Sequence, residues 1–307
     1  MTFTTLTFIV FLAVVFTAYW LLRNRIAQNA LLVMASYFFY AWWDWRFCSL
    51  MLVSSLVDYS VGLGLGRARS PAARRGLLVV SIVCNLALLG FFKYFKFFAA
   101  NFRLLAAELG WNVDPLTLHI VLPVGISFYT FQTMSYTIEV FRRRIRPTAN
   151  LLDYCTYVSF FPQLVAGPIE RAGRLLPQFT SARRFDYEQA ADGCRQILWG
   201  FFKKMALADN LGQIVGMFYG RPGVASGPGL ALATVCFAFQ IYCDFSAYSD
   251  IAIGTGKLFG IRLMRNFAYP YFSQNLGEFW RRWHISLSTW FRDYIYIPMG
   301  GSRVSRL

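Results

Sequence analysis

Residues 1–22 carry no charged side chain, and as a helix they would reach roughly 30 Å, one bilayer core. Further apolar runs cover residues 26–43, then 47–66 (interrupted only by Asp58), 76–92 and 116–138. Each predicts a membrane-spanning helix, with Pro123 and Gly125 set to break or kink the fifth. Around Lys93 and Lys96, the phenylalanines Phe91, Phe92, Phe97 and Phe98 predict an amphipathic helix at the membrane interface. Beyond residue 150 the runs shorten and are punctuated: 160–171, 200–210, 228–250 and 251–261. Apolar runs of about 10 to 14 residues predict re-entrant or half-membrane helices. Irregular backbone at membrane depth needs protein or a water-filled cavity beside it, so the second half is expected to line a pore, funnel or tunnel. The pattern predicts an all-α membrane protein: one polytopic helical bundle over residues 1–307, with short re-entrant helices around a central funnel.

Composition agrees. The chain is 57% hydrophobic and only 15% charged, against about 25% charged in soluble domains. A net charge of +15 could suggest nucleic acid, but the arginines sit at the ends of apolar runs, where they set topology. Nucleic-acid binding is excluded on that ground. Arg23 and Arg25 follow the first span, Arg67 to Arg75 the third, and Arg142 to Arg146 the fifth. Placing these loops in the cytoplasm puts the N-terminus outside. Residues 1–22 read as a retained span, because no basic residue precedes the apolar stretch and no small-x-small cleavage site follows.

Candidate chemistry concentrates in residues 278–297, EFWRRWHISLSTWFRDYIYI. Wound as one helix at about 100° per residue, this segment sorts into three faces. Trp280, Trp283, Leu287, Trp290, Phe291 and Tyr294 form an apolar stripe. Glu278, Arg282, Ser286, Thr289 and Asp293 form a polar one, with Glu278 and Arg282 in the favourable i,i+4 order. Between them lie Gly277, Arg281, His284 and Ser288. An ionisable group in a membrane costs roughly 2.5 to 3.5 kcal/mol near the centre, so His284 marks a functional place. Two plainer readings stand beside it: an interfacial helix whose arginines meet lipid headgroups, or a histidine that braces Ser288.

A second cluster is FQIYCDFSAYSDIAIG, residues 239–254. On a helix Gln240, Asp244 and Tyr248 share one face, and Tyr242, Ser246 and Asp250 another. One reading is the polar wall of a substrate path. The other pairs the aspartates with Arg281, Arg282 or Arg262 to fix helix packing; for Asp250 that structural role is favoured. The six cysteines lack C-x-x-C spacing and read as buried hydrophobes, so no metal site is expected. His119 reads as an interfacial histidine without special role.

Four ordered stretches, residues 122–136, 159–171, 242–254 and 266–301, resemble the membrane-bound O-acyltransferase (MBOAT) family, most closely its alginate O-acetylase branch. The resemblance runs along the whole chain. It implies a polytopic fold with a central funnel and transfer of an acyl group to a hydroxyl. The donor would be a cytoplasmic acyl thioester such as acetyl-coenzyme A, with no bound cofactor. The acceptors would be a periplasmic carrier protein or an exopolysaccharide, reached from a bacterial inner membrane. Teichoic-acid D-alanyl transfer and peptidoglycan O-acetylation are related activities. The resemblance implies that His284, in the WRRWHISLS motif, is one of two recurrent histidines. It would orient the acceptor or stabilise the oxyanion, with Arg281, Ser288, Asp244, Tyr242 and Gln240 along the substrate path. The second histidine, usually assigned as the general base, lies downstream in a Trp-His-Gly context that does not occur here. The chain is therefore expected to lack C-terminal helices. A transporter of polymer or lipid intermediates is the competing class, but it should show inverted repeats, and none is visible.

Overall fold

A computed structural model describes residues 1–111, 122–165, 167–220 and 226–303; His119 lies outside them. Every element is helical: α1 (Leu6–Leu21), α2 (Arg25–Asp44), α3 (Arg46–Arg67), α4 (Pro71–Leu89), α5 (Phe95–Glu108), α6 (Ile126–Phe141), α7 (Leu151–Ser159), α8 (Phe161–Leu164), α9 (Ala172–Thr180), α10 (Tyr187–Phe201), α11 (Asp209–Tyr219), α12 (Gly227–Leu258), α13 (Leu276–Arg282) and α14 (Ile285–Phe291). Wide π-turns at Gly90–Tyr94 and Phe202–Ala208 join α4 to α5 and α10 to α11. The all-α membrane architecture matches the hydropathy pattern.

Among the described residues, three helical runs are long and apolar enough to cross a membrane: Arg46–Arg67, Pro71–Glu108 and Gly227–Leu258. Two helical runs are longer than predicted. Lys93 and Lys96 lie on a continuation of the fourth run, which passes unbroken through its π-turn to Glu108. Residues 228–250 and 251–261 are one helix of 32 residues rather than two half-spans. Its two partly exposed acids, Asp244 and Asp250, find lysine partners, described below, so the helix has no need to break at them. Of the fifth predicted span the structure describes residues 122 onward, and there a helix begins at Ile126, after Gly125 at φ +77°, a conformation that glycine adopts without strain. That helix, α6, is buried along almost its whole length. Thr130, Gln132, Thr133, Ser135, Thr137 and Glu139 make it too polar to face lipid, and the other helices enclose it.

Several polar groups inside the bundle bond to one another across helices. Asp58 of α3 is fully buried and accepts from Ser81 Oγ (2.5 Å) and Asn85 Nδ2 (2.7 Å) of α4. Ser81 also meets Thr137 of α6 at 2.9 Å. The basic loop residues do more than set topology. Arg74 donates to Leu65 O at the end of α3 and to Phe141 O (2.8 Å) at the end of α6, capping orphan carbonyls of both helices. Arg25 holds Asp153 (2.8 Å) and Phe179 O (3.0 Å), tying α2 to α7 and α9.

Helices α10 and α12 approach backbone to backbone at Gly193 and Gly254. A Cβ on Gly254 would lie 2.6 Å from Gly193 O, and one on Gly193 would lie 2.7 Å from Gly254 O. Such small-residue contacts let backbones approach in membrane proteins.

Candidate active site

The segment expected as one helix is broken at its histidine. α13 ends at Arg282, and His284 takes a left-handed conformation (φ +42°, ψ +53°) before α14 begins at Ile285. For a residue with a Cβ this conformation is uncommon and persists only where its surroundings hold it. They do so through backbone bonds: Ile285 N–H donates to Asn266 O (2.9 Å), and Ala268 N–H donates to Arg282 O (3.0 Å). From the other side, Ile169 N–H donates to Ser286 Oγ at 3.0 Å. Glu170, fully buried, accepts from Met264 N–H. Residues 167–171 and 262–268 thus clamp the break.

The break redistributes the predicted faces. Ser288 Oγ donates back to Trp283 O (3.2 Å), whereas Arg281 is exposed at the end of α13. Arg281, His284 and Ser288 therefore do not share one continuous helical face. The Glu278–Arg282 ion pair forms as the spacing predicts. In the apolar stripe, Trp290 and Tyr294 are buried, and Trp290 Nε1 donates to Phe131 O of α6 (2.9 Å). Trp280 and Phe291 are exposed. Asp293 pairs with Arg171 (2.9 Å) and Tyr294 OH donates to Glu139 (2.6 Å), locking the end of the segment onto α6 and the stretch before α9.

The imidazole itself lies between aromatic rings. Phe245 of α12 meets it edge-on at 4.7 Å, and Phe128 of α6 lies 6.4 Å away. Nε2 is buried and has no hydrogen-bond partner among the described residues. Burial lowers the ring to about 4, so it is neutral at physiological pH. A neutral imidazole with a free ring nitrogen can accept a hydrogen bond or a proton. Glu170 behaves in the opposite sense: burial pushes its carboxyl up to about 7.

The aspartates of α12 pair with lysines and not with the arginines expected from the sequence. Lys203 reaches Asp250 (2.5 Å) and Ser246 Oγ (2.8 Å), and Lys204 reaches both Asp244 and Asp209 (each 2.7 Å). Arg282 is taken by Glu278, and Arg262 donates to Gln189 (3.1 Å). The sequence signal for the lysine pairs was present in Lys203–Lys204, two adjacent cations within an apolar run. Asp244 and Gln240 face α11, where Gln240 lies against Gly212. Tyr242 faces elsewhere and lines a cavity of about 280 Å³ together with Ser246 and Asp250. Its ring also joins Phe267, Tyr271 and Trp283 in an aromatic wall beside His284. Asn266 and Glu170, which hold the histidine's segment, were not singled out by sequence reasoning. Neither shows helical periodicity, and only the fold brings them to this place. Among the described residues, no three His, Cys, Asp or Glu side chains gather as metal ligands would.

Residues 41–307 match the membrane-bound O-acyltransferase family. The chain belongs to that family. Family membership and its apolar helices together make it a membrane protein. Among its relatives is a probable alginate O-acetylase of Pseudomonas aeruginosa, 41% identical over 99% of this chain and 58% of the relative. A peptidoglycan O-acetyltransferase of Helicobacter pylori is 36% identical over 97% of this chain and 61% of the relative. A teichoic acid D-alanyltransferase of Streptococcus thermophilus is 32% identical over 57% of this chain and 44% of the relative. The chain thus spans less than two thirds of the length of these family members.

Proposed function

We propose that residues 1–307 form one membrane domain of an O-acyltransferase. It would pass acetyl groups across a bacterial inner membrane for O-acetylation of an exopolysaccharide such as alginate. Family membership and the identity to probable alginate O-acetylases over nearly the whole chain support this reading. The observation that carries it is His284 Nε2: buried, unpartnered and held in a strained hinge. The donor is a cytoplasmic acyl thioester such as acetyl-coenzyme A, used as substrate with no bound cofactor. The acceptor is a periplasmic carrier protein or the polymer itself, and the N-terminus faces outward.

In this reading the His284 lone pair accepts the acceptor's hydroxyl hydrogen and orients its oxygen toward the thioester carbonyl. The new C–O bond forms, the C–S bond breaks, and the hydroxyl proton ends on the departing thiol. Tyr242 and Ser288 line the approach, with Arg281 at its exposed end, while Asp244 and Gln240 support it from the α11 side. The test is His284→Ala and His284→Gln in the full-length protein, with polymer acetyl content as readout. Unchanged acetylation in both variants would remove His284 from the mechanism. Peptidoglycan O-acetylation or D-alanyl transfer is a second reading, favoured by the relatives named for those acceptors. Labelled acyl transfer to each purified acceptor separates the two.

A further inference from the structure

Beside the histidine, but not including it, the 280 Å³ cavity between α10, α12 and residues 265–269 has a donor-rich wall. Two of its lining side chains are almost wholly buried yet have an unpartnered polar atom among the described residues: Ser249 Oγ (residue 2% exposed) and Asn266 Nδ2 (residue 1% exposed). Lys203, 6% exposed, spends two ammonium protons on Asp250 and Ser246 and has a third remaining. Arg265 also lines the cavity and makes no ion pair or hydrogen bond among the described residues. The one carboxylate present, Asp250, is already engaged: Gln196 Nε2 (2.7 Å) holds one oxygen and Lys203 the other. With Lys203 balancing Asp250, Arg265 leaves the site one positive charge in excess.

We infer that this cavity binds the phosphate group of a phosphate ester. The free groups are an amide N–H, a hydroxyl, an ammonium N–H and a guanidinium. Together they ask for a compact anion with several acceptor oxygens, and a guanidinium meets phosphate with two parallel bonds. A neutral sugar hydroxyl would leave the excess charge unanswered. A carboxylate offers two oxygens to four kinds of donor, where a phosphate offers three or more. The inference stands on the cavity alone and does not depend on the acyl-transfer reading.

The ester could be a lipid headgroup or a soluble molecule, and two arms distinguish them. In dodecyl maltoside, sn-glycerol 3-phosphate is titrated into the full chain by calorimetry. In parallel, native mass spectrometry counts phosphatidylglycerol retained after doping, with diacylglycerol as the phosphate-free comparator. One equivalent of at least one phosphate compound is expected, weakened by about tenfold or more in Arg265→Gln and in Ser249→Ala. Unchanged melting temperatures without ligand establish that both variants fold. Binding of the soluble ester assigns a free molecule, and retention of the lipid alone assigns the bilayer. The inference is overturned if neither phosphate compound binds, if both variants bind as the unaltered chain does, or if diacylglycerol is retained equally well.

Discussion

The Phe245 ring stands edge-on to the His284 imidazole, their centroids 4.7 Å apart and their planes at 83°. This contact helps to keep water from the ring, and that desolvation lowers its proton affinity. The histidine with the clearest claim to chemistry is therefore a neutral base even in mildly acidic medium.

The pH dependence follows from the direction of that shift. With a folded value near 4 against 6.5 for a free histidine, the unfolded chain binds the extra proton first. His284 therefore favours the folded state fully above about pH 6.5 and progressively less as pH falls toward 4. In the full-length protein, the acetylation rate should show no titration step from His284 between about pH 5.5 and 7.5. A step near 6.5 that disappears in His284→Gln would show the ring to be solvated.

Glu170 works with the opposite sign. Its folded value, raised by burial to about 7 from an ordinary 4.5, means that the folded protein holds a proton which the unfolded chain has released. Its contribution to stability is complete below about pH 4.5 and is lost as pH rises through 7. Glu170→Gln keeps an acceptor for Met264 N–H while removing the titration. Thermal unfolding in detergent should then lose part of its decline between pH 5 and 7.5. An identical slope in both proteins would contradict the burial seen here.

Lys203 and Asp250 form a pair that should fail asymmetrically. Removing one partner of a buried ion pair costs about 3 to 5 kcal/mol, because the other charge is left stranded. Asp250 retains 23% side-chain exposure, which places Lys203→Met toward the lower end. Adding Asp250→Asn should restore part of the loss. A double-mutant cycle by denaturant unfolding measures this, and strict additivity would mean that the two charges do not interact.

Gly254→Val tests the contact between α10 and α12. The new side chain would meet Gly193 O and Ile197, neither of which can withdraw without parting the helices. A loss of about 1 to 3 kcal/mol is expected from such overpacking, read as a lowered melting temperature. Gly76→Val provides the control, since nothing lies within 4 Å of its Cβ position.

Helix positions in the first half were largely legible, because lipid imposes an uncharged run and arginines mark its ends. The long helix of residues 227–258 was not, because the apolar pattern was divided at Asp250, a charge whose partner Lys203 only the fold supplies. His284 stood out by residue type alone. Its left-handed hinge did not, since WHISL carries no glycine or proline to announce a break, and the clamp comes from Asn266, Ile169 and Glu170, far away in sequence. Arg281 and Ser288 were grouped with the histidine by a periodicity that the hinge interrupts.

One guanidinium, that of Arg74, closes the ends of α3 and α6 together. The ends of the two helices are therefore held level, and neither can slide past the other without leaving these carbonyls unpaired. A rocking cycle that sheared these helices against each other would break this tie at every turnover. The architecture favours a stationary frame through which small groups move, over a frame that moves to carry them.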